Sequence, residues 1–160
     1  MRTNTNQSHM SLRTDIVFVR ALQSNAVLMN ELAAKDVYNT SIALPDVDFD
    51  NAPLPYVIVS FDGMTNDVTT KDSSYEGDID RVQIGIEVAA TTRPRLAEIV
   101  ESVRVTVREF VEEYTPPVGD DEDLSDLIPI DYTFSADPVG YDADKPCYFQ
   151  TLRYNCDTKV

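Results

Sequence analysis

Apolar residues set the frame of this chain. Val17/Ala21, Val19/Leu22 and Leu28/Leu32 stand three or four positions apart, which predicts a helical segment over roughly 13–34. Ser24-Asn25 interrupts it, and both side chains favour caps over helix interiors, so the segment can divide into two short helices. Val37-Tyr38 reads as a short extended piece. The run LPDVDFDNAPLP (44–55) carries three prolines and three aspartates and reads as a loop. YVIVSF then predicts a strand over 56–62, with Asp62-Gly63 marking its end. A long polar connection follows over 63–80.

The clearest period of two in the chain is at 81–91. Val82, Ile84, Ile86, Val88 and Ala90 alternate with Arg81, Gln83, Gly85, Glu87 and Ala89, giving one buried and one more polar face. This strand and the one at 56–62 are expected to form an antiparallel hairpin with an extended tip. Thr91-Thr92-Arg93-Pro94 opens the next helix, with proline where its missing N–H costs nothing. Leu96, Ile99, Val100, Val103, Val107, Phe110, Val111 and Tyr114 form its apolar face, and Pro116-Pro117 stops it. An acidic loop is expected over 118–126. Ile128, Ile130, Tyr132 and Phe134 alternate as a strand, residues 136–145 read as a turn, and Cys147–Tyr154 as a last strand. The order α-β-β-α-β-β predicts an α+β fold: an antiparallel sheet of four or five strands with two helices on one face. Residues 1–11, polar and aperiodic, read as a flexible arm before a single domain over 12–160.

Charge adds a second pattern. The 160 residues hold 13 Lys+Arg and 28 Asp+Glu, for a net charge of −15. The excess is concentrated: residues 46–80 sum to −8 and residues 116–145 to −8, while the three remaining stretches sum to +1, −1 and +1. A near-neutral packed frame with two acidic connections follows. Such loops keep a protein soluble, and they repel polyanions. The surplus of carboxylates excludes broad electrostatic wrapping of nucleic acid. No apolar run reaches the ~18 residues of a membrane span, and the N-terminus lacks the apolar core of a signal peptide.

Chemistry-bearing motifs are sparse. Asp46, Asp48 and Asp50 have the spacing that opens a calcium loop but lack the glycine and the bidentate glutamate that complete it. No metal or other cofactor is expected, and Asp120, Asp121, Glu122 and Asp123 read as solvated carboxylates. His9 is the sole histidine and stands in the polar arm, so no Ser/His/Asp or Cys/His constellation can be built around it. Neither glycine-rich phosphate motif occurs. The expectation is therefore a non-enzyme. Cys147 and Cys156 are an odd number of residues apart on one predicted strand, hence on opposite faces, and read as free thiols of a reducing compartment. The tyrosines, Tyr56, Tyr132, Tyr148 and Tyr154 among them, read as sheet packing residues.

PLPYVIV (53–59), the long polar tip, RVQIGIEV (81–88) and the helix from Pro94 to Tyr114 together resemble the tail-terminator, or tail-completion, family of tailed bacteriophages. The resemblance covers about 12–156, with the polar arm and the acidic loop at 116–126 as departures. It implies a structural virion protein assembled in the host cytoplasm. Such subunits form a homo-oligomeric ring, a hexamer or dodecamer, at the head-proximal end of the tail or in the neck. They join head to tail and contact tail-tube and neck or connector proteins. DNA passes the lumen without specific binding, which would give the acidic loops a second use. Asp67, Asp72, Glu76, Asp78, Asp120, Asp121, Glu122 and Asp123 are the candidate channel-lining residues. Another head–tail connector is the nearest alternative, and a stand-alone protein-binding α+β module is the alternative of a different class.

Overall fold

A computed structural model describes residues 11–40, 51–66, 79–119 and 122–159. The expected arm lies almost wholly outside them. After a single 3-10 turn at Ser11–Arg13 come helices α1 (Asp15–Gln23) and α2 (Ala26–Glu31), then strands β1 (Tyr38–Asn39), β2 (Tyr56–Asn66) and β3 (Ile79–Ala90). Helix α3 (Arg93–Glu112) and strands β4 (Asp131–Ala136), β5 (Gly140–Asp142) and β6 (Cys147–Lys159) complete the chain. The α+β class is as the sequence predicts.

The sheet departs from expectation in two respects. It has six strands, and it is mixed rather than antiparallel, because β1 runs parallel to β2 through Tyr38 opposite Ile58 and Asn39 opposite Val59. The order is β1-β2-β3-β6-β4. β5 shares with β4 the edge of β6 that faces away from β3. A two-residue strand and a three-residue strand carry too little periodic signal to be read as such.

The helical segment does divide at Ser24-Asn25. Asn25 caps α2, its Oδ1 accepting from the Leu28 N–H at 3.1 Å, while its Nδ2 donates to Thr106 Oγ1 on α3 at 2.9 Å. One side chain thus starts α2 and ties the elbow to α3. Thr92 caps α3 through the Arg95 N–H at 3.3 Å, with Pro94 in the first turn.

Among the described residues, α1, α2 and α3 pack on the same face of the sheet. Val17, Phe18, Leu22, Leu28 and Leu32 from α1, α2 and the residue after it meet Leu96, Ile99, Val103 and Val107 from α3. All of them lie in one cluster with Val57, Val59, Val82, Ile84, Ile86, Val88, Leu152, Tyr154 and Cys156 of the sheet. Tyr154 sits among Phe18, Phe134 and Tyr132, with ring centroids 5.1, 5.1 and 5.6 Å away, a packing role as expected for these aromatics.

Asp62-Gly63 does not end its strand. The pair forms a bulge: Phe61 opposes Ile84, Gly63 opposes Gln83, and Asp62 is the extra residue. Gly63 has φ +153°, which suits glycine. Pairing resumes through Met64 and Asn66, so the hairpin is longer than its apolar pattern. The loop after α3 is also less solvated than its charge suggests, because Leu124 and Leu127 are buried in the core.

Candidate functional site

Of the expected channel-lining residues, Asp67, Asp72, Glu76, Asp78, Asp120 and Asp121 lie outside the described residues. So do the Asp46/Asp48/Asp50 spacing and His9. Glu122 and Asp123 are described, and both are engaged in the fold. Glu122 accepts from Arg13 Nη2 at 2.8 Å, joining the loop to the N-terminal turn. Asp123 Oδ1 accepts from the Ser125 hydroxyl at 2.5 Å, the Ser125 N–H at 2.9 Å and the Tyr114 hydroxyl at 3.0 Å. The bonds from Ser125 hold this carboxyl below its ordinary range. Tyr114 Oη in turn accepts from the Leu124 N–H at 2.7 Å. This stretch is therefore a tied loop at the end of α3.

A second surface follows from the one-sided packing. The sheet face opposite the helices carries a small apolar cluster at one end, where Ala52 and Leu54 cover Tyr56, Ile58, Ala89 and Cys147. The rest is an open concavity of about 710 Å³ lined by Ser60, Asp62, Gln83, Gly85, Glu87, Thr151 and Arg153, among others. Ser60 donates to Asp62 Oδ1 at 2.8 Å. Gly85 makes room for that carboxylate: a Cβ there would lie 2.4 Å from Asp62 Oδ2 and 3.0 Å from Ser60 Oγ. Arg153 is held by a two-point pair with Asp137, at 3.0 and 2.8 Å, which raises its pKa further and lowers that of Asp137. Tyr56 donates to Glu87 at 3.1 Å, and burial together with that carboxylate raises the phenol's pKa. The strand register puts Asp131, Arg81 and Asp157 on the same face, so carboxylates outnumber guanidiniums across it. The signal for this surface was present in the polar half of the 81–91 alternation. The contribution of β6 was harder to see because Arg153 stands alone in an uncharged stretch.

Chemically these groups can screen, orient or repel a charged neighbour. Ser60 has a carboxylate partner, and among the described residues there is no histidine to move its proton. The two thiols lie on opposite faces, Cys147 in the small cluster and Cys156 in the main core, both free. Burial raises the pKa of Cys147 and pushes that of Cys156 up to about 12, the opposite of an activated nucleophile. Among the described residues there is no group of three or more His, Cys, Asp or Glu placed to hold a metal ion, and no helix long and apolar enough to cross a membrane. Comparison with protein-family models and with curated proteins gives no match.

Proposed function

We propose that this chain is a structural subunit of a phage virion, a tail-terminator or tail-completion protein. Its copies form a ring at the head-proximal end of the tail or in the neck. The observation that supports this reading best is the one-sided architecture. Among the described residues, α1, α2 and α3 cover one face of the sheet, and the other face is left open, polar and richer in carboxylates than in guanidiniums. A wall past which DNA moves must not hold it, and a surface with excess negative charge raises the free energy of approaching phosphate. The two broader connecting regions each sum to −8, so the chain's negative excess lies in its connections. Neighbouring proteins of the tail tube and neck would meet the ends of the ring.

Ring formation has a direct test. Light scattering and native mass spectrometry over a range of protein concentration and salt should give a discrete species of six or twelve copies of the 17.9 kDa chain. Salt should favour that species, since each copy brings −15 and the Debye length falls to about 10 Å at 0.1 M. A monomer under every condition overturns the proposal. A ring structure with the open sheet face and both acidic connections on its outer rim would retain the ring but remove the role in DNA passage.

A further inference from the structure

The surface least explained by a ring lies on the helical side. A concavity of about 510 Å³ opens between the α1–α2 elbow and the C-terminal half of α3. A smaller one of about 220 Å³ continues it toward the loop after α3, the two sharing Phe110, Tyr114 and Thr115. Phe110 and Tyr114 form an edge-on aromatic pair with centroids 5.5 Å apart. Across from them stands Val27, 69% exposed although it belongs to a helix. An exposed branched side chain lining one concavity with two half-buried rings is apolar surface that the described residues leave uncovered.

Both walls are fixed before anything binds. Asn25 ties the elbow to Thr106. Tyr114 is pinned at its hydroxyl by Asp123 and the Leu124 amide. A groove with preset walls loses little conformational freedom on binding. The larger concavity has one sign of charge: Glu109 and Glu113, one turn apart at the C-terminal end of α3, line it and make no ion pair among the described residues, while Arg20 and Glu122 line the smaller one. No basic residue lines the larger one. A partner at this acidic rim must bring basic side chains, and a second copy of a chain with 13 Lys+Arg against 28 Asp+Glu has few to offer.

We propose that this groove docks an amphipathic segment of a different, basic polypeptide. Its apolar side chains lie on Phe110, Tyr114 and Val27, and its Lys or Arg side chains meet Glu109 and Glu113. This is the helix-in-groove mode, in which anchors one turn apart give affinity and the rim charges select the partner.

The probe is a fluorescein-labelled synthetic helix with leucines at i, i+3, i+4 and i+7 and lysines elsewhere. Its counterpart has glutamates in place of the lysines. Anisotropy titration of the full chain should show saturable binding of the lysine peptide and none of the glutamate peptide. Glu109→Lys/Glu113→Lys should weaken lysine-peptide binding about tenfold or more and allow the glutamate peptide to bind. Val27→Asp should weaken binding of the lysine peptide, and in the Glu109→Lys/Glu113→Lys background it should weaken binding of the glutamate peptide. Glu98→Lys/Glu101→Lys makes the same change in net charge outside the groove and should leave the affinity within twofold. Equal losses in both double variants would mean diffuse attraction to an acidic protein, and would overturn the proposal. So would a lack of binding by the lysine peptide, or loss of self-assembly in Glu109→Lys/Glu113→Lys. A monomeric but peptide-binding chain would defeat the ring and leave the groove standing.

Discussion

Val103 is the sharpest test of how α3 sits on the sheet. It lies at the middle of the helix, is fully buried, and belongs to the cluster with Val82, Ile84, Ile86 and Val88. Val103→Ala removes two methyl carbons from that contact. At about 0.8 kcal/mol per buried carbon the transfer loss is about 1.6 kcal/mol. The cavity left behind adds to it, because packed neighbours relax only in part, giving about 2–3 kcal/mol in total. For a chain of this size that is a fall in Tm of roughly 5–10 °C. Val100, on the same helix and only partly buried, should lose less than about 1 kcal/mol when truncated in the same way. Urea titration followed by circular dichroism, at a protein concentration where all variants share one oligomeric state, measures both changes. The urea slope should stay constant, so that the midpoint shift reports stability alone. Val103→Asp is the severe version: an unpaired carboxylate in this core costs several kcal/mol more and should prevent folding, since total stability is only about 5–15 kcal/mol. A soluble, cooperatively melting Val103→Asp variant, or Val103→Ala and Val100→Ala shifting the midpoint equally, would refute the packing.

Asp80 is buried with Oδ2 lacking any hydrogen-bond partner while Oδ1 accepts from Asn66 at 2.7 Å. The isosteric Asp80→Asn keeps the Asn66 bond and removes a formal charge from this buried site, a gain that exceeds the cost of the amide NH2 left there, so stability should rise by about 1 kcal/mol, and a lower Tm would refute this. Tyr114→Phe removes the acceptor of the Leu124 N–H and the donor to Asp123. It should cost about 1 kcal/mol and speed hydrogen exchange at the Leu124 amide, and unchanged exchange would disprove the tie. Both thiols should resist Ellman's reagent until the protein unfolds, and immediate labelling of either would contradict their burial. Cys156 is raised from an ordinary 9.0 to about 12. Above pH 9 the unfolded thiol loses its proton and the folded one keeps it, so this group's contribution to stability should decline between pH 9 and 12. Cys156→Ala should flatten that decline.

Where a residue type acts through its own backbone preference, the sequence was readable. Ser24-Asn25 divides the N-terminal helix and Pro94 opens α3, because caps and first-turn prolines work within a few residues of chain. The odd spacing of Cys147 and Cys156 likewise put them on opposite faces, since a strand alternates without help from its neighbours. Tertiary partners decided the rest. Asp62-Gly63 has the composition of a strand end, yet β3 continues to pair beyond it and turns it into a bulge. Gly140–Asp142 reads as a turn, yet β6 recruits it as an edge strand, with Gly140 leaving room for the Phe149 ring. The 118–126 stretch reads as solvated, yet Leu124 carries it into the core.

The same distinction governs what could be read about function. Net charge per segment is local arithmetic, so the two acidic connections were legible from the chain alone. The open sheet face and the interhelical groove were not, because each is made by residues distant in sequence. Asp62, Glu87 and Arg153 come from three strands, and Val27 faces Phe110 across two helices. A carboxylate-rich run also says nothing of which members are free. Glu122 and Asp123 belong to the most acidic run of the chain, yet one is paired with Arg13 and the other anchors the turn at Ser125. Glu109 and Glu113 stand at the C-terminal end of an ordinary amphipathic helix, yet among the described residues they make no ion pair and line a concavity with exposed apolar surface. Charge available to a partner is the charge left over after folding: among the described residues Glu122 and Asp123 hold structure, while Glu109 and Glu113 make no ion pair.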